Sequence, residues 1–332
     1  MRHLFKLIVL ALVVALAGAT WLWNFTQTPL TIPDAPHVFV VKPGSTIRNV
    51  SRQLVEEHVL SEPWSFLLMA RLSGRASDLK AGNYLFDSGV TPYRLFGMLT
   101  NGDVTQIGIT FIEGWTFRQM REELNRHEGI QHLGMALSDA DILQRIGAAE
   151  MHPEGLFFPD TYYFSGGMSD LDILKRAYQA MQQKLNQAWQ SKSAGLPYAN
   201  PYEALIMASI VEKETGKAGE RAQIARVFLS RLKIGMRLQT DPAVIYGLGE
   251  SFDGNLRKQD LLKDTPYNTY TRTGLPPTPI ANPGMGAIEA ALNPATGTGY
   301  LYFVGKGDGG HVFSKTLAEH NRAVAKYQLG KN

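Results

Sequence analysis

Residues 208–215, ASIVEKET, end an apolar helical run on two acids flanking a lysine: Glu212, Lys213 and Glu214. A carboxyl held against apolar walls loses hydration, and its pKa rises. Such a group can move protons near neutral pH. On a helix, residues three, four and seven apart share a face. Glu214 therefore lies with Val211, Ile210 and Met207, whereas Glu212 lies with Ser209, Ala208 and Leu205. Lys213 lies over Ile210, Ser209 and Ile206. Glu214 continues the bulkier apolar stripe, so it is the candidate proton-transfer group. Glu212 is read as a support that orients Lys213 or a neighbouring loop. The competing reading is a solvated helix end.

Other segments carry groups that suit a polar, ring-shaped ligand. EGLFFPDTYYF (154–164) packs aromatics beside Glu154 and Asp160. RLQTDPAVIYGLG sets Gln239, Thr240 and Asp241 in a turn before an apolar run. YNTY supplies Asn268 and Tyr270, and GLPPTPIANPG is a proline-dense, rigid loop. Sugars are held by aromatic faces together with amides, carboxylates and hydroxyls, and rigid loops are a common place to mount them. Glu154, Asp160, Gln239, Thr240, Asp241, Asn268 and Tyr270 are the candidate ligand contacts. For the aromatics the alternative is an ordinary core, and for Asp160 a turn or cap. Glu154, Asp160 and Asp241 are also the candidate partners if hydrolysis with two carboxylates is the chemistry.

Several chemistries are disfavoured. Cysteine is absent, so there is no thiol nucleophile, disulfide or zinc–thiolate site. The histidines show no H-E-x-x-H or paired spacing, so no metal or other cofactor is expected. His311, in GGHVFS, reads as a hydrogen-bonding residue of a hairpin. No G-x-S-x-G elbow is present, and Ser209 sits inside a helix. The net charge of +3 and the lack of basic blocks argue against nucleic acid as a partner. With 44% hydrophobic and 19% charged residues, the composition is that of a globular chain.

The elements that must position these groups come after a hydrophobic N-terminus. Arg2, His3 and Lys6 precede an apolar run over 7–23, at the short end for a bilayer span. The basic residues place the N-terminus (1–6) in the cytoplasm, and Trp21 and Trp23 suit a membrane interface. A cleaved signal peptide is the alternative, with small-residue sites around residues 15–19. Either way, the rest of the chain is exported. Residues 24–36 read as a Pro/Thr-rich linker. Next come a strand around Val38 and Val40, a KPGST turn with Ser45 or Thr46 as N-cap, and two helices. This order, with V-x-P-G-S-T-I at its start, resembles a LysM-type glycan-binding unit, assigned to 37–110. Residues 111–332 read as a larger domain with long helices at 170–190 and 201–215. A helix follows that closes at Gly235. The final third is turn-rich, with a hairpin across GKGDGG and a terminal helix. The fold class expected is α+β behind a single transmembrane helix.

ASIVEKET, EGLFFPDTYYF, RLKIGMRLQTDPAVIYGLG, YNTYTRTGLPPTPIANPG and YLYFVGKGDGGHVFS, in this order and spacing, resemble the endolytic murein transglycosylases of the YceG-like family. The resemblance runs over about 42–327. It implies cleavage of the β-1,4 bond between N-acetylmuramic acid and N-acetylglucosamine within peptidoglycan strands. The muramic 6-hydroxyl closes on its own C1 and leaves a 1,6-anhydro end. It implies that the second acid of E-K-E, Glu214, is the general acid/base, and that 111–332 is the catalytic domain. It also implies an extracytoplasmic location on the inner membrane and work on new strands near the peptidoglycan synthases as partners. The readings that compete are a non-catalytic, membrane-anchored peptidoglycan receptor and a two-carboxylate muramidase.

Overall fold

The computed structural model describes every residue except 1, 33–34, 105–106, 128, 165–167 and 331–332. Parts of the expected cytoplasmic end, linker and both units fall on those residues and lie outside the description. The fold is mixed α+β, with short two-stranded sheets among many helices. Two compact units emerge: Met1–Gly108 with Glu128–Gln131 and Tyr163–Met168, and Ile109–His127 with His132–Tyr162 and Ser169–Asn332.

In the first unit, α1 (Arg2–Gln27) continues past residue 23 into the segment read as linker. Its stretch Leu4–Gln27 is long and apolar enough to cross a membrane. At 1.5 Å per residue it reaches about 36 Å, more than the roughly 30 Å of a hydrocarbon core. Then follow β1 (His37–Val41), α2 (Ile47–Glu56), α3 (Trp64–Leu72), β2 (Gly82–Phe86) and α4 (Pro92–Asn101). β1 and β2 pair antiparallel, with Phe39 opposite Tyr84 and Val41 opposite Gly82. Strand alternation sends Phe39 and Val41 inward, where Phe39 stacks on Phe86 at 5.4 Å. Leu54, Phe66, Leu95 and Leu99 close this core, each side chain contributing about 1.5–3 kcal/mol by burial. Leu22 and Phe25 pack against the same core, so the last turns of α1 belong to this unit. Thr46, not Ser45, caps α2 by accepting from the Asn49 N–H. Thr91 does the same for α4, whose first residue is Pro92.

The remaining elements are β3 (Ile107–Thr110), α5 (Phe117–Arg126), α6 (Asp139–Ile146), β4 (Thr161–Phe164), α7 (Asp170–Gln190), α8 (Pro201–Glu214), α9 (Arg221–Lys233), α10 (Asp241–Leu248), α11 (Lys258–Leu262), α12 (Met285–Leu292), β5 (Tyr302–Gly305), β6 (His311–Ser314) and α13 (Leu317–Tyr327). β3 pairs with β4, and β5 with β6. Within the second unit, α8 is the central helix. Every residue from Ala204 to Val211 is buried, because α7, α9, α10 and α12 surround it. A helix that is apolar all round belongs inside a core. Asn200 caps its start, accepting from the Glu203 N–H at 3.0 Å, and Pro201 follows at the first position. α12 lies in the stretch expected to be turns. It is short, follows a Pro/Gly-rich loop and starts after Gly284 with no side-chain cap, while Gly286, Ala287, Ala290 and Ala291 let it approach α8 and α9 closely.

Candidate active site

Glu214 is the last residue of α8, where the helix emerges from the core at the wall of a cleft of about 410 Å³. Gln239, Asp241, Tyr270, Arg231 and His320 line the same cleft. The Thr240 hydroxyl donates to Glu214 Oε1 at 2.5 Å. Thr240 is itself fixed by Thr269. The Thr240 N–H donates to Thr269 Oγ1 at 2.9 Å, and the Thr269 hydroxyl returns a bond to the Thr240 carbonyl at 3.2 Å. The Gln239 N–H donates to the Thr269 carbonyl at 3.1 Å. Gln239 has φ +52°, a left-handed conformation uncommon for a side chain of its size. The clamp on Glu214 thus comes from two loops locked to each other.

The electrostatics around Glu214 oppose one another. Burial is the largest influence and pushes the carboxyl up to about 7. The Thr240 hydroxyl pulls it back, the charge of Asp241 raises it further, and Arg231 lowers it. Arg231 is buried on the inner stripe of α9 with Ile224, Val227 and Phe228. It donates from Nη1 to the Leu238 carbonyl at 2.6 Å and from Nε to the Leu301 carbonyl at 2.7 Å. Its guanidinium stands 5.4 Å from the centre of the Tyr302 ring. Asp241 accepts from the Tyr270 hydroxyl at 2.5 Å. A carboxyl near 7 in a polar cleft can give up a proton and take one back at neutral pH.

Glu212 is also shielded, with a side chain only 7% accessible. Its neighbours differ. Oε1 accepts from Arg221 at 3.2 Å and Oε2 from the Gly284 N–H at 3.0 Å. Burial raises its pKa, while the Gly284 N–H and Arg221 pull it back. Lys213 is exposed and donates to the Gly114 carbonyl at 3.3 Å. Both residues therefore hold loops that flank α8.

The structure brings Glu214, Gln239, Thr240, Asp241 and Tyr270 together and leaves three other candidates outside the cleft wall. Asn268 is fully buried. Its amide donates to the carbonyls of Asp260, Leu261 and Lys263, and its Oδ1 accepts from the Tyr270 N–H, so it builds the loop. Asp160 is exposed and accepts from the Thr161 N–H at 2.8 Å, the turn role weighed as its alternative. Glu154 is 4% exposed and accepts from the Phe117 N–H at 3.0 Å, Asn282 at 3.3 Å and the Tyr246 hydroxyl at 3.1 Å. Burial lifts it to about 7 against the pull of those bonds. Its neighbours Leu156, Phe157 and Phe158 are core residues. Next to it Gly155, at φ +81°, lets the backbone meet Pro279, where an added Cβ would lie 2.4 Å from the proline's Cβ.

Sequence reasoning missed Arg231, Thr269, His320 and Asn282. Arg231 was detectable as an arginine on an apolar helical stripe. Asn282 has its carboxamide bonded to the Phe157 N–H and the Trp115 carbonyl, and only non-local contact reveals that. His311 does hydrogen-bond from the hairpin, pairing Nδ1 with Glu220 at 2.7 Å.

The chain is mixed α+β, carries a membrane-length helix near its N-terminus, and sets a buried carboxyl at a polar cleft. The YceG-like family profile matches residues 39–326, and the chain belongs to the YceG-like family. It is 34% identical over 306 residues to the endolytic murein transglycosylase of Bacillus subtilis (strain 168), covering 87% of this chain and 84% of that one. It is 27% identical over 322 residues to the endolytic murein transglycosylase of Streptococcus pneumoniae serotype 2 (strain D39 / NCTC 7466), covering 87% of this chain and 58% of that longer protein. A yceG-like protein from Listeria monocytogenes, solved by crystallography, superposes with a TM-score of 0.52 at 30% identity, over 86% of this chain and 98% of the other.

Proposed function

We propose that this protein is a membrane-anchored endolytic murein transglycosylase that cuts the N-acetylmuramic acid–N-acetylglucosamine bond within peptidoglycan strands and leaves 1,6-anhydro ends. The reading is supported by the family membership and by one geometric observation: Glu214 at the cleft, clamped by Thr240 and raised to about 7. Protonated Glu214 donates to the leaving glycosidic oxygen. The carboxylate so formed takes the proton of the muramic 6-hydroxyl as that oxygen bonds to C1. The acid is regenerated in the same cycle, and no water enters. Thr240 fixes which carboxyl oxygen faces the substrate. Gln239, Asp241 and Tyr270 are the sugar contacts, and Glu212 and Lys213 support the flanking loops.

The anchor reading takes α1 as a single pass with Arg2 and Lys6 on the cytoplasmic side, which exports both units from the inner membrane. The strand–helix–helix–strand order of β1, α2, α3 and β2 supports assigning 37–110 as a LysM-like unit and 111–332 as the catalytic domain. Release of new strands beside the synthases belongs to the same proposal. A two-carboxylate hydrolase is the second reading, because Asp241 lines the cleft with Glu214.

The test is mass spectrometry of purified glycan strands digested by the detergent-solubilised full chain, beside Glu214→Gln. The wild type is expected to make 1,6-anhydro ends and the variant to lose about 10²–10⁴-fold in rate. Reducing ends would establish hydrolysis and turn attention to Asp241. Binding of strands without cleavage would leave a receptor.

A further inference from the structure

α2 and α3 of the first unit form an outer face whose chemistry the glycan-cleaving reading does not use. Arg48 and Arg52 stand one turn apart on α2, and Arg71 stands on α3. All three are exposed and border one cleft of about 580 Å³, which no acid lines. None has an ion-pair partner among the described residues. Glu56, one turn beyond Arg52, makes no pair with it, although that spacing permits one. On α3, Trp64, Leu68 and Leu72 lie on consecutive turns and are 73%, 44% and 70% exposed. Large apolar side chains left in water beside unpaired guanidiniums are the composition of a membrane-interface surface.

The position of this face agrees. α1 contacts both α3 and α4, and Leu22 and Phe25 of its last turns are packed into this unit's core. The unit is therefore held where the span ends, next to the exposed rings of Trp21 and Trp23. We propose that the α2–α3 face docks on the bilayer surface, with anionic phospholipid headgroups in the arginine cleft and Trp64, Leu68 and Leu72 at the acyl boundary. This rests on reading α1 as the membrane anchor, and on nothing about the cleft at Glu214.

The absence of cysteine makes a single introduced one a unique label site. Full chain carrying nitroxide at Leu68→Cys is reconstituted into vesicles of phosphatidylcholine alone, or with phosphatidylglycerol added. Accessibility to oxygen and to a water-soluble nickel chelate gives the depth. The label is expected in lipid with phosphatidylglycerol, and back in water at high salt or in pure phosphatidylcholine. Each of Arg48→Gln, Arg52→Gln and Arg71→Gln is expected to lower the docked-to-free ratio about fivefold. A label at Leu10→Cys checks the anchor separately. Leu10→Cys in lipid with Leu68→Cys in water in both vesicles overturns the docking. Shielding of Leu68→Cys only when soluble glycan strands are added also overturns it, and makes the face a glycan site. Leu10→Cys in water defeats the anchor reading, and the docking with it.

Discussion

Glu212 and Glu214 sit two residues apart, both shielded, and differ in what faces them. Glu212 has a cation and a backbone N–H within bonding distance and is thereby spent on holding Arg221 and Gly284. Glu214 is raised to about 7 chiefly by burial, with a neutral hydroxyl on one oxygen and the charges of Asp241 and Arg231 pulling in opposite directions. On the single-acid scheme the cycle starts with Glu214 protonated, so activity falls as pH rises through its pKa. Two substitutions are expected to move that alkaline limb in opposite directions. Thr240→Val removes a bond that favours the charged form, so the pKa rises and the limb moves to higher pH. Asp241→Asn removes a charge that disfavours the carboxylate, so the limb moves to lower pH. Rates of anhydro-end formation across pH 5–9, roughly the span over which a group near 7 titrates, are the measurement. Limbs that stay put in both variants would show that some other group sets the profile.

Among the elements, Glu154 joins three that the chain separates widely: the first turn of α5, the loop holding Asn282, and Tyr246 on α10. Since α10 begins beside Thr240, this buried acid is part of what fixes the clamp's loop. Burial holds its carboxyl at about 7 in the folded protein, above the ordinary 4.5 that it has in the unfolded chain. The folded protein therefore keeps a proton that the unfolded one has lost. This contribution is complete below about 4.5 and disappears as pH climbs through about 7, a loss of at most about 3 kcal/mol. Glu154→Gln stays neutral, so its denaturant midpoint is expected to decline less steeply over that window than the wild type's. Glu214 and Glu212 add to the slope in the same direction, both being raised by burial. Equal slopes for variant and wild type would mean that Glu154 stays ionised. Elements with a strong period or cap were legible in sequence: β1, the capped start of α2, the long helix α7, and the β5–β6 hairpin. α12 was not, because it is short and starts without a side-chain cap at the end of a Pro/Gly-rich loop. The face argument preferred Glu214, but face alone separates the two acids weakly, since α8 is buried on all sides. The difference arises from Thr240 and Arg221, contacts that no local spacing encodes.

At the scale of the whole molecule, the membrane-length helix and the candidate cleft are carried by different parts of the chain. α1 belongs to the first unit, while the cleft is built from residues between Glu214 and Gln328 of the second. The anchor should therefore set where the protein works and leave intrinsic cleavage alone. On the anchor reading, its orientation hangs on few charges: Arg2 and Lys6 stand in the first turns of α1, and no acidic residue lies within it. Cytoplasmic lysines and arginines near a span's end set topology. Replacing both, Arg2→Glu with Lys6→Glu, is expected to leave a fraction of the chain with its folded units on the cytoplasmic side. Protease added to intact spheroplasts should digest the wild type's exported units and spare that fraction. In detergent, the same variant should cut purified strands at the wild-type rate, because nothing in α1 borders the cleft. Complete digestion of the variant would place the orientation signal outside those two residues. A lower rate in detergent would mean that the helix conditions the catalytic unit as well as delivering it.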